Sequence, residues 1–91
     1  MNASEERLYQ TILGLNDLNE CRAFFKDLCT PNEIKGMRDR LEVAILLEQG
    51  ELSYREIQSR TKVSLATITR VARFLTKENH QGYKLVLGKK K

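Results

Sequence analysis

No apolar run in this chain approaches the roughly 18 residues that a membrane-crossing helix requires. Cysteine is scarce: Cys21 and Cys29 make no disulfide framework and read as free thiols of a reducing compartment. The N-terminus, Met-Asn-Ala-Ser-Glu-Glu-Arg, is acidic and leads into no apolar signal core, so secretion is not expected and a cytoplasmic location is. His80 is the only histidine and has no cysteine or carboxylate cluster at ligand spacing, so it reads as a loop surface residue and no metal is expected. A glycine-rich phosphate loop, a nucleophile elbow and a convergent carboxylate pair are all missing. Neither catalysis nor a cofactor is therefore expected. Internal repeats and low-complexity linkers are missing too. Apolar content is an ordinary 41%, which excludes a disordered chain. The 91 residues suit one domain, 1–88, followed by a basic tail, 89–91. A chain of that size buries roughly 60–65% of its unfolded surface, so the core is modest.

Charge is unevenly spread. Residues 1–52 carry six Lys/Arg against ten Asp/Glu, a net of −4. Residues 53–91 carry ten Lys/Arg against only Glu56 and Glu78, a net of +8. An excess of one sign is often only a solvated surface. Here it coincides with the one segment of the chain that points to a partner.

That segment is Ser53 to Arg70. Ser53 followed three residues later by Glu56 is a capping box and starts a helix. Ser64, ahead of Thr67, restarts a second helix after a tight turn. Ile57, Val63 and Ile68 supply the apolar contacts that fix the angle between them. This is a helix-turn-helix pattern, spanning 53–77 if the second helix continues through Leu75. Ile68, Val71, Ala72 and Leu75 would then face inward. A cationic half joined to a groove-entering motif makes a polyanion the expected partner.

The rest is helical. Leu8, Tyr9, Ile12, Leu13 and Leu15 recur at helical spacing and predict a helix over about 4–15. Leu18, Phe24, Phe25 and Leu28 mark a second, shorter one. Thr30-Pro31-Asn32-Glu33 starts a third, with a Thr cap, Pro at the first helical position and Glu at the capping-box position. It runs to about Gln49, where Gly50 ends it in a left-handed turn. Ile34, Met37, Leu41, Ala44, Ile45 and Leu47 lie along it, with Val43 and Leu46 adding apolar surface on the other side. Apolar over so much of its circumference, this helix is central and suited to sharing between two chains. Tyr83 to Leu87 is too short for periodicity to decide between helix and extended chain.

From Thr30 to Arg70 the chain resembles, without a gap, the tryptophan repressor superfamily. The shared elements are Thr30-Pro31-x-Glu33, Arg40, Leu46-Leu47-x-x-Gly50-Glu51-x-Ser53-x-Arg55-Glu56 and Ala66-Thr67-Ile68-Thr69-Arg70. Arg70-Val-Ala-Arg-Phe-Leu and Gly82-Tyr-Lys-Leu-Val-Leu are closer to its YerC/YecD-type branch. The resemblance implies an all-α, six-helix subunit in an intertwined homodimer. Residues 1–50 would form the shared dimerisation core, with a DNA-reading head on each side.

In the tryptophan repressor two arginines sandwich the corepressor indole, and their matches here are Arg40 and Arg70. The pocket needs Gly directly after the second arginine and Ser four residues after it. This chain has Val71 and Phe74 there. Pocket-lining leucines are matched by Asp27 and Cys29, while Thr30 is retained. A carboxylate such as Asp27 could make an internal ion pair in place of a ligand's. The expectation is a blocked pocket, no response to tryptophan, and Phe74 acting as a built-in plug. Whether another small molecule acts as effector is left open by the sequence.

For groove reading, the second helix presents Leu65, Ala66, Thr67 and Thr69. Thr hydroxyls can bond base edges or phosphates, and Ala or Thr methyls can pack on thymine methyls. By resemblance Arg55 and Gln58 also face DNA. Lys62, Arg73 and Lys77 read as phosphate contacts, which position without specifying sequence. The bland alternatives are solvated surface for each basic residue, and helix capping or back-bonding for Thr67 and Thr69. The expected function is sequence-specific binding of double-stranded DNA by a homodimeric transcriptional regulator, with repression as the expected mode. Its rivals are a protein-interaction module and an RNA-binding helical module. RNA readers usually display stacking aromatics, whereas the three Tyr and three Phe here sit mostly at core-like positions.

Overall fold

The computed structural model describes residues 2–88; the basic tail at 89–91 lies outside the described residues. Six helices, and no strand, occur among the described residues: α1 Ala3–Leu13, α2 Leu18–Leu28, α3 Pro31–Gln49, α4 Tyr54–Thr61, α5 Leu65–Thr76 and α6 Gly82–Gly88. The all-α expectation holds. None of these helices is long and apolar enough to cross a membrane. The chain divides into two compact units, Met1–Ile34 and Lys35–Lys91.

In the first unit each helix start is held by a side chain. The Asn2 carboxamide oxygen accepts the Glu5 N–H at 2.7 Å to open α1. Asp17 accepts the Glu20 N–H at 2.8 Å to open α2. Thr30 and Glu33 form a reciprocal capping box at 3.1 and 2.8 Å, as Thr30-Pro-Asn-Glu predicts. Both α1 and α2 are 11 residues long, so the second helix is not the shorter of the two. The difference lies in α1, which ends at Leu13 with Gly14 as its C-cap, short of the expected 15. Neither helix contains a single buried residue. Leu13 and Leu18 are 77% and 70% exposed.

The second unit holds the core. Val43, Ala44, Ile57, Val63, Ile68, Val71, Leu75 and Leu87 form one buried cluster, with Leu46, Leu47, Leu52 and Tyr83 packed against it. Ile57, Val63 and Ile68 are the three residues expected to lock the helix-turn-helix. On α3 it is Val43 and Ala44 that are buried, while Met37 and Leu41 are more than a third exposed. The buried pair thus takes one residue from each expected apolar side, because α4 to α6 bring their apolar residues against the edge of α3 that Val43 and Ala44 share. Gly50 ends α3 at φ +73°, the left-handed turn the sequence predicts. The Tyr83–Leu87 segment is helical, and Leu87 seals the cluster.

Candidate nucleic-acid interface

The helix-turn-helix is built by caps at three points. Ser53 Oγ accepts the Glu56 N–H at 3.1 Å, and the Glu56 carboxylate accepts the Ser53 N–H at 2.8 Å. Those bonds favour the ionised carboxyl, and the backbone bond from Ser53 is the largest cause holding Glu56 below its ordinary pKa. At the other end of α4, Lys62 adopts φ +63° and its N–H closes onto the Gln58 carbonyl at 2.8 Å. A lysine thus fills a left-handed position that glycine would take at least steric cost. Thr61 Oγ1 donates to the Ile57 carbonyl at 2.7 Å and accepts the Val63 N–H at 3.2 Å, which tightens the turn. Ser64 then opens α5, accepting the Thr67 N–H at 3.2 Å.

Helical geometry sorts α5 into two faces. Ile68, Val71 and Leu75 are buried. Leu65, Ala66, Thr69 and Arg73 are exposed. Arg55 and Lys62 are exposed on the same unit, and Gln58 is half-buried. Thr67 is half-buried, and its hydroxyl accepts from Ser64 Oγ at 3.0 Å. The capping alternative weighed for Thr67 is therefore real in this structure. Thr69 makes no hydrogen bond of its side chain among the described residues, which leaves its hydroxyl for a partner.

The residues matched to a corepressor pocket fall in different surroundings. The Arg70 guanidinium carbon lies 4.3 Å from the centre of the Phe74 ring, a cation–π contact, and that of Arg73 lies 5.2 Å away. Val71 is wholly buried in the core cluster. Arg40 is half-buried, and its Nη1 would stand 3.2 Å from a Cβ added at Gly36, so glycine there gives the guanidinium room. In the first unit Asp27 is exposed, Cys29 is half-buried at the end of α2, and Thr30 caps α3.

One participant escaped the sequence. His80 stacks on Phe74, with ring centres 6.0 Å apart and planes 13° from parallel. Its Nε2 stands 4.0 Å from Glu78, whose other oxygen lies 3.7 Å from Arg73 Nε. No periodicity links positions 74 and 80, because the chain turns between them. Phe74 and His80 also border an open apolar groove of about 370 Å³ with Leu41, Gly82, Tyr83 and Val86.

Comparison with known proteins gives a consistent result. The family profile described as Trp repressor protein matches residues 4–91. The uncharacterised protein YerC of Bacillus subtilis (strain 168) is 45% identical over 86 residues, covering 94% of this chain and 81% of that protein. The crystal structure of a Trp-repressor-type protein from Staphylococcus aureus superposes with a TM-score of 0.92 at 38% identity, over 99% of this chain and 88% of that one. A TrpR-like protein from Eubacterium eligens ATCC 27750 gives 0.90 at 42% identity, over 97% and 89% of the two chains. With the profile spanning nearly the whole sequence, this chain belongs to the Trp repressor protein family.

Proposed function

We propose that the chain is a DNA-binding transcriptional regulator, a repressor, that works as a homodimer on an inverted-repeat site in the cytoplasm. The observation that carries this reading is the division of α5: Ile68, Val71 and Leu75 anchor it, while Leu65, Ala66 and Thr69 face solvent behind a Ser64 cap. Small and hydroxylated side chains at the leading end of an anchored helix suit entry into a major groove. Arg55 and Gln58 add contacts from α4, and Lys62 and Arg73 engage phosphates. Thr67 contributes its methyl, since its hydroxyl is shared with the cap.

The dimer is supported by what the first unit fails to bury. Leu8, Tyr9, Leu13, Leu18 and Leu28 are all exposed. Helices of 11 residues are marginal alone in water, so a second copy covering 1–50 supplies the missing packing. In this reading residues 1–88 act as one functional domain, with 53–77 as its reading head.

The regulator does not need tryptophan. Arg70 is already stacked on Phe74, an aromatic ring the chain provides itself. Phe74 acts as the plug that replaces an aromatic ligand.

In vitro selection from a random duplex library tests the reading. A palindromic consensus with half-sites roughly one helical turn, about 34 Å, apart is the expected result. Selection of no consensus, or equal retention on RNA at graded salt, would remove it.

A further inference from the structure

Behind the leading end of α5 lies a notch of about 260 Å³ lined by Tyr54, Thr69, Ala72, Arg73, Thr76 and Lys77. Positions 69, 72, 73 and 76 recur at helical spacing and form one stripe of α5, and Tyr54 is the first residue of α4. The donors are unequal. Thr76 Oγ1 spends its proton on the Ala72 carbonyl at 2.8 Å. The Thr69 hydroxyl is uncommitted among the described residues, and Tyr54 is 43% exposed with a phenol that can donate. Two cations, Arg73 and Lys77, border the same space. Arg73 stands 3.7 Å from Glu78 through Nε, and its guanidinium carbon lies 5.2 Å from the Phe74 ring centre; its terminal nitrogens make no hydrogen bond among the described residues.

We propose that this notch seats one backbone phosphodiester of bound duplex DNA, with the Tyr54 hydroxyl, Thr69 and the Arg73 and Lys77 cations as its donors. The inference rests on the duplex-binding reading above and adds to it a residue, Tyr54, that composition and charge do not single out. Position decides for phosphate over base. At about 1.5 Å per residue, Thr69 and Arg73 sit roughly 6 and 12 Å behind Leu65 along the axis. A major groove is about 12 Å wide. With Leu65 and Ala66 between the strands, the notch reaches a flanking ridge. A tetrahedral anion with several acceptor oxygens suits a mixed set of hydroxyl, guanidinium and ammonium donors.

The seat predicts a coupling that simple packing of Tyr54 against Ala72 would not produce. Phosphates of a selected duplex are replaced one at a time by uncharged methylphosphonates, and affinity is measured for the full-length protein, Tyr54→Phe and Arg73→Gln. At one position in each half-site, neutralisation should weaken the unaltered protein about tenfold and each variant only about twofold, because its partner group is already gone. Tyr54→Phe keeps the ring and should lower affinity with no change in salt slope. Arg73→Gln should reduce that slope by about 0.9 per subunit. Equal losses for all three proteins at every position would overturn the seat while leaving duplex binding intact. Absence of duplex binding by the unaltered protein would overturn both.

Discussion

Lys62 separates the two tasks of the proposed reading head, because one residue serves both the turn and the proposed DNA contact. Its φ of +63° places an L side chain in the left-handed region, at a steric cost of about 1–2 kcal/mol. Lys62→Gly removes that cost but gives the unfolded chain extra freedom worth about 0.5–1 kcal/mol. It also removes a cation from the C-terminus of α4, worth about 0.3–1 kcal/mol. These terms nearly cancel, so the glycine variant should match the parent within about 0.5 kcal/mol. Lys62→Ala keeps the strained backbone and loses the same cation, so it should be less stable than the glycine variant by about 0.5–1 kcal/mol. Both remove the proposed phosphate contact, one per subunit. For a dimer the salt slope should fall by about 1.8, and a fourfold salt increase should then cost the parent about twelvefold more affinity than either variant. Urea unfolding reads the first quantity, and competition binding at 50 and 200 mM salt, about the range used for such slopes, reads the second. A glycine variant less stable than the alanine one would refute the backbone argument. Unchanged salt slopes would refute the contact.

The remaining predictions are simpler. Ile68→Ala empties a fully buried position and should cost about 2–5 kcal/mol, seen as a lower urea midpoint; a loss under about 1 kcal/mol would mean that the cluster collapses around the gap. Glu56 has a depressed pKa, so its capping-box contribution is complete above its ordinary value of 4.5 and is lost as pH falls through the lower, folded value. Glu56→Gln keeps the acceptor without the charge, and should show a flatter decline of stability below about pH 4.5 than the parent. Calorimetry with tryptophan should register no binding, and micromolar affinity would contradict the Phe74 plug. Thermal midpoints should rise with protein concentration if a second copy completes the fold, and a concentration-independent midpoint would argue for a self-sufficient chain.

Local signals carried most of the fold. Ser53-x-x-Glu56, Thr30-Pro-x-Glu33, Ser64 and Gly50 each specify a helix boundary through bonds within four residues, and each boundary stands where the sequence puts it. What was illegible depended on partners farther along the chain. Periodicity gives α3 two apolar sides but not which edge faces α4 to α6, so the burial of Val43 over Met37 is a tertiary result. The short run 82–88 is helical because Leu87 reaches the cluster, which no seven-residue window reveals. His80 stacks on Phe74 only because the chain reverses after Lys77. For the candidate interface, spacing identified the exposed stripe of α5. It did not reveal that the Thr67 hydroxyl accepts from Ser64 Oγ, because capping and base contact call for the same residue type.

The two units differ in a way that bears on how such a regulator would be assembled. The second unit closes around eight buried apolar residues drawn from α3, α4, α5, α6 and the turn at Val63, so the angle between α4 and α5 is fixed within one chain. The first unit has well-capped helices that bury no residue fully and leave Leu8, Tyr9, Leu13, Leu18 and Leu28 exposed. Caps set where a helix begins but contribute only about 1 kcal/mol each, too little to hold 11-residue helices without packing. A head that is rigid alone and an arm that needs a second copy would make recognition geometry depend on dimer formation, not on a ligand. Phe74 beneath Arg70 fits that arrangement: a ring built into α5 cannot dissociate, so under the proposed reading the head would offer no small-molecule control at that position. Control of such a protein would then reside in its concentration relative to the dimer's dissociation constant.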